Sequence, residues 1–139
     1  MPEITGTCLC GSISYKSLSS PLRVSVCHCK SCQHQTGTSF STIVVVAKNG
    51  FSLVGEENLG EFVGQGDSGK KVRRKFCKNC GSPLFSLVDM APDIIAIKAG
   101  TLNDKSWLKP TLHTWCDHAQ PWIEIDENMP QFERNPPAK

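Results

Sequence analysis

Apolar positions along the chain recur in short bursts with a period of two, not with the longer period of a helix. Ile13 and Tyr15 alternate with polar neighbours, and Val24-Ser25-Val26 repeats the pattern. Residues 40–47 form a β-branched, apolar run closed by Asn49-Gly50, which predicts a buried strand. Residues 73–76, 84–88, 94–99 and 112–115 predict further short strands, with a turn around Ala91-Pro92-Asp93. Residues 59–69 carry four glycines and read as hairpin and loop. One segment departs from this pattern. Residues 30–35 lack β-branched side chains and run into Thr36-Gly37, which predicts a short helix with a glycine stop. The proline-bearing tail from Asn128 reads as an ordered wrap or a loose end, and Trp107 and Trp122 as core anchors. Many short strands with frequent turns make the fold class all-β, with short helical turns.

Length and composition narrow this picture. A chain of 139 residues, 39% hydrophobic and 20% charged, is expected to form one domain over residues 1–139. A net charge of +2 is too small for wholesale binding of nucleic acid or membranes. The longest apolar run, Ile43-Val44-Val45-Val46-Ala47, falls far short of the roughly 20 residues a membrane helix needs. Residues 1–6 have neither a basic start nor an apolar core, so no export signal is expected and the cytoplasm is the expected compartment. There, eight cysteines imply metal binding over a disulfide framework.

The spacings carry that reading further. Cys77-Lys78-Asn79-Cys80-Gly81 is a knuckle: two thiolates three residues apart grip one ion if the chain turns tightly, and Asn79 and Gly81 tolerate the positive φ such a turn needs. Structural zinc takes four ligands, so a partner pair is required. Cys8-Leu9-Cys10-Gly11 and the Cys27, Cys29, Cys32 cluster both qualify. In a flat strand, side chains two residues apart stand about 7 Å apart, too wide for one zinc, so each Cys-x-Cys must bend; Gly11 permits this after Cys10. Cys27, Cys29 and Cys32 place three thiolates within six residues. Three protein ligands with an open fourth position are the pattern of a catalytic zinc; a second structural site with a distant fourth ligand is the alternative. Cys116 is left over, and reads as a free thiol.

The remaining candidates are weaker. His28, between two of the thiolates, is either a supporting hydrogen-bond group or a general base. His34 either lines the site or is an exposed helix residue. His113 and Trp115 would share a face of a strand, half-buried. The basic run at 70–75 (Lys70, Lys71, Arg73, Arg74, Lys75) reads as a solvated strand, a counter-charge for a four-thiolate site, or a contact for an anionic ligand.

Taken together, GTCLCGSISY (6–15), CHCKSCQHQTGTSF (27–40), FCKNCGSPLF (76–85), the turn at 99–104, HTWCDHAQPWIEID and PQFERNPP resemble the glutathione-dependent formaldehyde-activating enzyme family, related also to centromere protein V. The resemblance covers nearly the whole chain. It implies small twisted β-sheets built around a structural zinc on Cys8, Cys10, Cys77 and Cys80, and a second zinc on Cys27, Cys29 and Cys32. It implies two zincs per chain, and addition of a thiol such as glutathione to formaldehyde or a similar small electrophile, giving S-(hydroxymethyl)glutathione. No nucleic-acid or membrane partner is expected. An open three-thiolate site is prone to lose its metal or oxidise. The rival readings are a non-catalytic zinc-binding module and a glutathione carrier.

Overall fold

Alternating side chains fold into two sheets in the computed structural model, which describes residues 3–136. The elements in chain order are β1 (Ile4–Thr7), β2 (Ser14–Ser17), β3 (Arg23–Cys27), α1 (Lys30–Thr36), β4 (Ser41–Ala47), β5 (Phe51–Val54), β6 (Leu59–Gln65), β7 (Lys71–Cys77), β8 (Pro83–Val88), β9 (Ile94–Lys98) and β10 (Leu112–Thr114). Strands β1-β2-β5 form a small sheet, and β10-β3-β4-β9-β8-β7-β6 a large one. β10 runs parallel to β3, whereas the other neighbours in the large sheet are antiparallel. The fold is mainly β, as the periodicity predicts.

The pleat sorts the large sheet into two faces. Val44, Ile97 and Phe85 lie in register across β4, β9 and β8, all at 3% exposure or less. With Val46, Leu84 and Ile95 they pack against Ile4, Ile13 and Tyr15. Phe51 bridges the sheets, 5.6 Å from Tyr15 and 5.1 Å from Phe85 between ring centroids. The opposite face carries Ile43, Lys98, Ala96, Ser86 and Arg74 in register. Small side chains at Ser86 and Ala96 keep this face concave, and it floors the site described below.

The helix ends on Gly37 in the left-handed conformation, as expected. The hairpin expected at 59–69 forms: its turn lies at 66–70, and its first arm is the edge strand β6, paired along its whole length with β7. The glycines of β6 serve packing, not turning. A Cβ at Gly60 would lie 2.6 Å from the Phe76 ring, so the bulky residue across the strand excludes a side chain there. As far as residue 136, the tail is an ordered wrap. Its carbonyls at Pro130, Phe132 and Arg134 accept from the N–H groups of His113, Cys116 and Trp115 at 2.9–3.1 Å. Trp107 packs against the core, but Trp122 is 69% exposed and anchors nothing. A turn at 120–123 turns its indole outward, where it donates to Gln120 Oε1 at 2.7 Å.

Candidate metal centres and the pocket beside them

The end of β1 and the end of β7 meet where the two sheets join. The Sγ atoms of Cys8, Cys10, Cys77 and Cys80 all lie within 4.8 Å of one another. Cys8 and Cys10 are 3.6 Å apart and Cys10 and Cys77 3.8 Å. A tetrahedral zinc with bonds of about 2.3 Å requires sulfurs about 3.8 Å apart, so the donor set fits that ion. Gly11 and Gly81 take φ of 79° and 80°, which lets both segments bend. Asn79 stays out of the left-handed region. Its amide instead donates to Cys10 Sγ at 3.2 Å. Ser12 Oγ stands 3.1 Å from Cys10 and 3.3 Å from Cys77. The Ser12 hydroxyl brings the Cys10 thiol down to about 7, and Ser82 brings Cys80 down to about 5. Both shifts favour the thiolates a cation needs.

The second cluster stands where β3 passes into α1. Cys27 ends the strand, Cys29 caps the helix by accepting from Cys32 N–H at 3.3 Å, and Cys32 lies in the first turn. Their Sγ atoms also lie within 4.8 Å of one another. Hydrogen bonds from the Cys29 and Cys32 thiols hold Cys27 far below the ordinary thiol range, and those same hydrogen bonds to Cys27 push Cys29 and Cys32 up, with burial adding to the rise. One thiolate therefore suppresses the other two, and a cation must be present to hold all three ionised. The donor set fits zinc with its fourth position left to a ligand.

A cavity of about 440 Å³ opens beside this cluster. Its floor is the concave face of the large sheet. Lys98, 7% exposed, reaches across it, with Nζ 3.0 Å from Ser41 Oγ and 3.9 Å from Cys32 Sγ. Lys30, Arg74 and Arg134 also line the cavity, against the single carboxylate of Asp67. Arg134 clamps the mouth. It reaches Asp67 in the β6–β7 turn at 3.3 Å and Asp117 at 3.1 Å, and lies 4.7 Å from the Trp115 ring centroid.

The histidines take other places. His28 is fully buried and does not line the cavity. Its Nε2 sits 2.9 Å from His113 Nδ1 and its ring tilts against Phe40. Burial lowers the pKa of both histidines, keeping them neutral. His28 thus ties the cluster to β10 and faces away from the thiolates' pocket. Trp115 takes φ of 57°, so the strand ends before it and it does not share a face with His113. His34 is exposed on α1, and Cys116 stands outside both clusters, half-buried. The pleat divides the basic run. Arg73 pairs with Asp89 and Lys75 with Glu61, while Arg74 faces the cavity. Lys98 and Arg134 escape a reading of spacing alone. Lys98 leaves a trace, a lone cation ending the apolar run Ile94-Ile95-Ala96-Ile97. Arg134 leaves none, because its contacts depend on how the tail folds back.

Fold and clusters define a mainly β protein equipped to hold metal on thiolates. The model of the glutathione-dependent formaldehyde-activating enzyme family matches residues 3–118, and the chain belongs to that family. A relative from Schizosaccharomyces pombe, described as an uncharacterized lyase, is 34% identical over 85 residues. The match spans 61% of this chain and 58% of that protein. A solved structure of a Rhodobacter sphaeroides protein shares the fold with a TM-score of 0.57 at 20% identity, covering 71% of this chain and 87% of that one. Among the described residues, no helix is long and apolar enough to cross a membrane.

Proposed function

We propose that residues 1–139 act as one zinc-dependent domain that adds a thiol, glutathione or a close relative, to formaldehyde or a similar small aldehyde. Cys8, Cys10, Cys77 and Cys80 hold a structural zinc, and Cys27, Cys29 and Cys32 hold the zinc at which the thiol reacts. The observation that carries this reading is the buried Lys98 ammonium set 3.9 Å from Cys32 inside a cationic cavity. Zinc on the three thiolates would keep an incoming thiol deprotonated near neutral pH.

The protein's own groups do the rest. Lys30 and Arg134 supply the positive charge that holds the carboxylates of the thiol substrate. Sulfur bonds to the carbonyl carbon, the carbonyl π pair moves to oxygen, and that oxygen takes up a proton equivalent to the one the thiol gave. Lys98, held by Ser41, donates an N–H to the oxygen as its charge develops. The tail clamp at Arg134 and the buried floor limit competing water.

The test uses Cys27→Ser, Cys29→Ser and Cys32→Ser variants, prepared without oxygen. Each is expected to lose one zinc per chain and the acceleration of adduct formation, while Cys8, Cys10, Cys77 and Cys80 keep theirs. Unchanged rates in all three variants would overturn the assignment. Thiol binding without acceleration in the wild type would make the protein a glutathione carrier.

A further inference from the structure

Beyond Arg74 a second cavity, of about 460 Å³, opens between α1 and the β6–β7 hairpin. Ser31 and Arg74 line both cavities, so they share a wall. Phe62, Phe76 and Pro83 form its apolar wall, opposite His34 and Gln35 of α1. Phe62 is 64% exposed on the edge strand, directly across from Arg74. Both reach over Gly64, where a Cβ would lie 3.1 Å from Arg74 Nη1 and 3.5 Å from Phe62 Cε2. The neighbouring cations Arg73 and Lys75 are paired with acids, while Arg74 has no ion pair among the described residues. Gln35, in the α1 wall, buries an Oε1 with no hydrogen-bond partner among them.

Formaldehyde has neither ring nor charge and would use none of these groups. We propose that the cavity is a site for an aryl carboxylate, and that the aldehydes accepted by the reaction extend to aromatic aldehydes bearing an acid group. Its ring lies against Phe62, Phe76 and Pro83, its carboxylate on Arg74, and its carbonyl turns through the shared wall towards Cys27, Cys29 and Cys32. The volume suits a ligand of this size. Aromatic walls beside a guanidinium select a ring over an alkyl chain, through offset stacking and cation–π attraction. The unpaired cation selects an anion. The assignment of the electrophile rests on the thiol addition proposed above. The bond changes are the same: carbon–sulfur forms, the carbonyl oxygen gains a proton equivalent to that lost by the thiol, and no oxidant or reductant takes part.

The test uses the zinc-loaded full chain and two measurements. In titration calorimetry, benzoate is expected to bind saturably, benzyl alcohol at least about tenfold more weakly, and Phe62→Ala to weaken benzoate about tenfold. Phe62 is exposed, so the variant is expected to keep the wild-type thermal midpoint. In adduct formation, Phe62→Ala should lower kcat/KM for 3-formylbenzoate about tenfold and leave formaldehyde unchanged. Absent benzoate binding, or binding indifferent to Phe62→Ala, would overturn the site. So would a wild-type dimer that dissociates on Phe62→Ala, which would mean that a second copy fills the cavity. Phe62-dependent benzoate binding with no adduct from any aldehyde would overturn the thiol addition and leave the aryl-carboxylate site standing.

Discussion

Replacing Lys98 with Met keeps the length and apolar stem of the side chain and removes only its charge and its N–H donors. Nζ stands 3.9 Å from Cys32 Sγ, which leaves an oxygen developing charge beside the cluster within about 3–4 Å of it. A full charge pair about 4 Å apart is worth about 4 kcal/mol at an effective dielectric of about 20. Only part of that charge has formed in the transition state, which leaves about 3 kcal/mol, or about a hundredfold in kcat. That agrees with the loss of about 10²–10³ seen when one oxyanion donor is removed elsewhere. Stability should move little, by about 1 kcal/mol. The variant loses the Ser41 hydrogen bond but no longer buries an ammonium at 7% exposure. The assay is formation of the thiol–formaldehyde adduct above the spontaneous rate, with zinc content matched between the two proteins. A Lys98→Met rate within about threefold of wild type would refute the role given to this group.

Three further outcomes test the fold and its energetics. Tyr15 is the chain's single tyrosine, and burial pushes its phenol up to about 12. Its contribution to stability is fully present below about pH 10, the unfolded value, and is lost as pH rises through about 12. That loss is about 3 kcal/mol for a shift of about two units, visible as delayed tyrosinate absorbance and as an alkaline fall in stability that Tyr15→Phe abolishes. Gly6→Ala would place a Cβ 2.2 Å from the Tyr15 ring and 2.6 Å from the Thr101 carbonyl, and urea denaturation should show a loss of about 3 kcal/mol. Ending the chain after Glu127 removes the acceptors of the His113, Trp115 and Cys116 N–H groups. With three bonds of about 1 kcal/mol each lost from a segment that opens as one unit, amide exchange there should speed up about a hundredfold.

Where a property follows from local pattern, the chain can be read directly. Period-two alternation places β2 and β3, the continuous β-branched run at 40–47 places the buried β4, and Gly37 stops the helix where its missing Cβ permits. The two sulfur clusters are visible as spacings, but spacing leaves open which pair joins Cys77 and Cys80. Distance in the fold decides it, since the end of β1 meets the end of β7. The same pleat turns His28 away from its cysteine neighbours: an extended chain sends adjacent side chains to opposite sides, a constraint proximity in sequence conceals. The glycines of 59–69 mark the hairpin but do not reveal that those within β6 also make room for Phe76 and Arg74 across the strand. Trp122 misleads, since size alone does not bury a side chain set in an exposed turn. The charges of the cavity come from β7, β9, α1 and the tail, so only the folded chain brings them together.

The most direct measurement is the exchange rate between free glutathione and its formaldehyde adduct, followed by magnetisation-transfer NMR on zinc-loaded protein. The exchange rate is expected to rise in proportion to protein concentration and to return to the spontaneous value with Cys29→Ser. An exchange rate independent of the protein would contradict the proposed thiol addition.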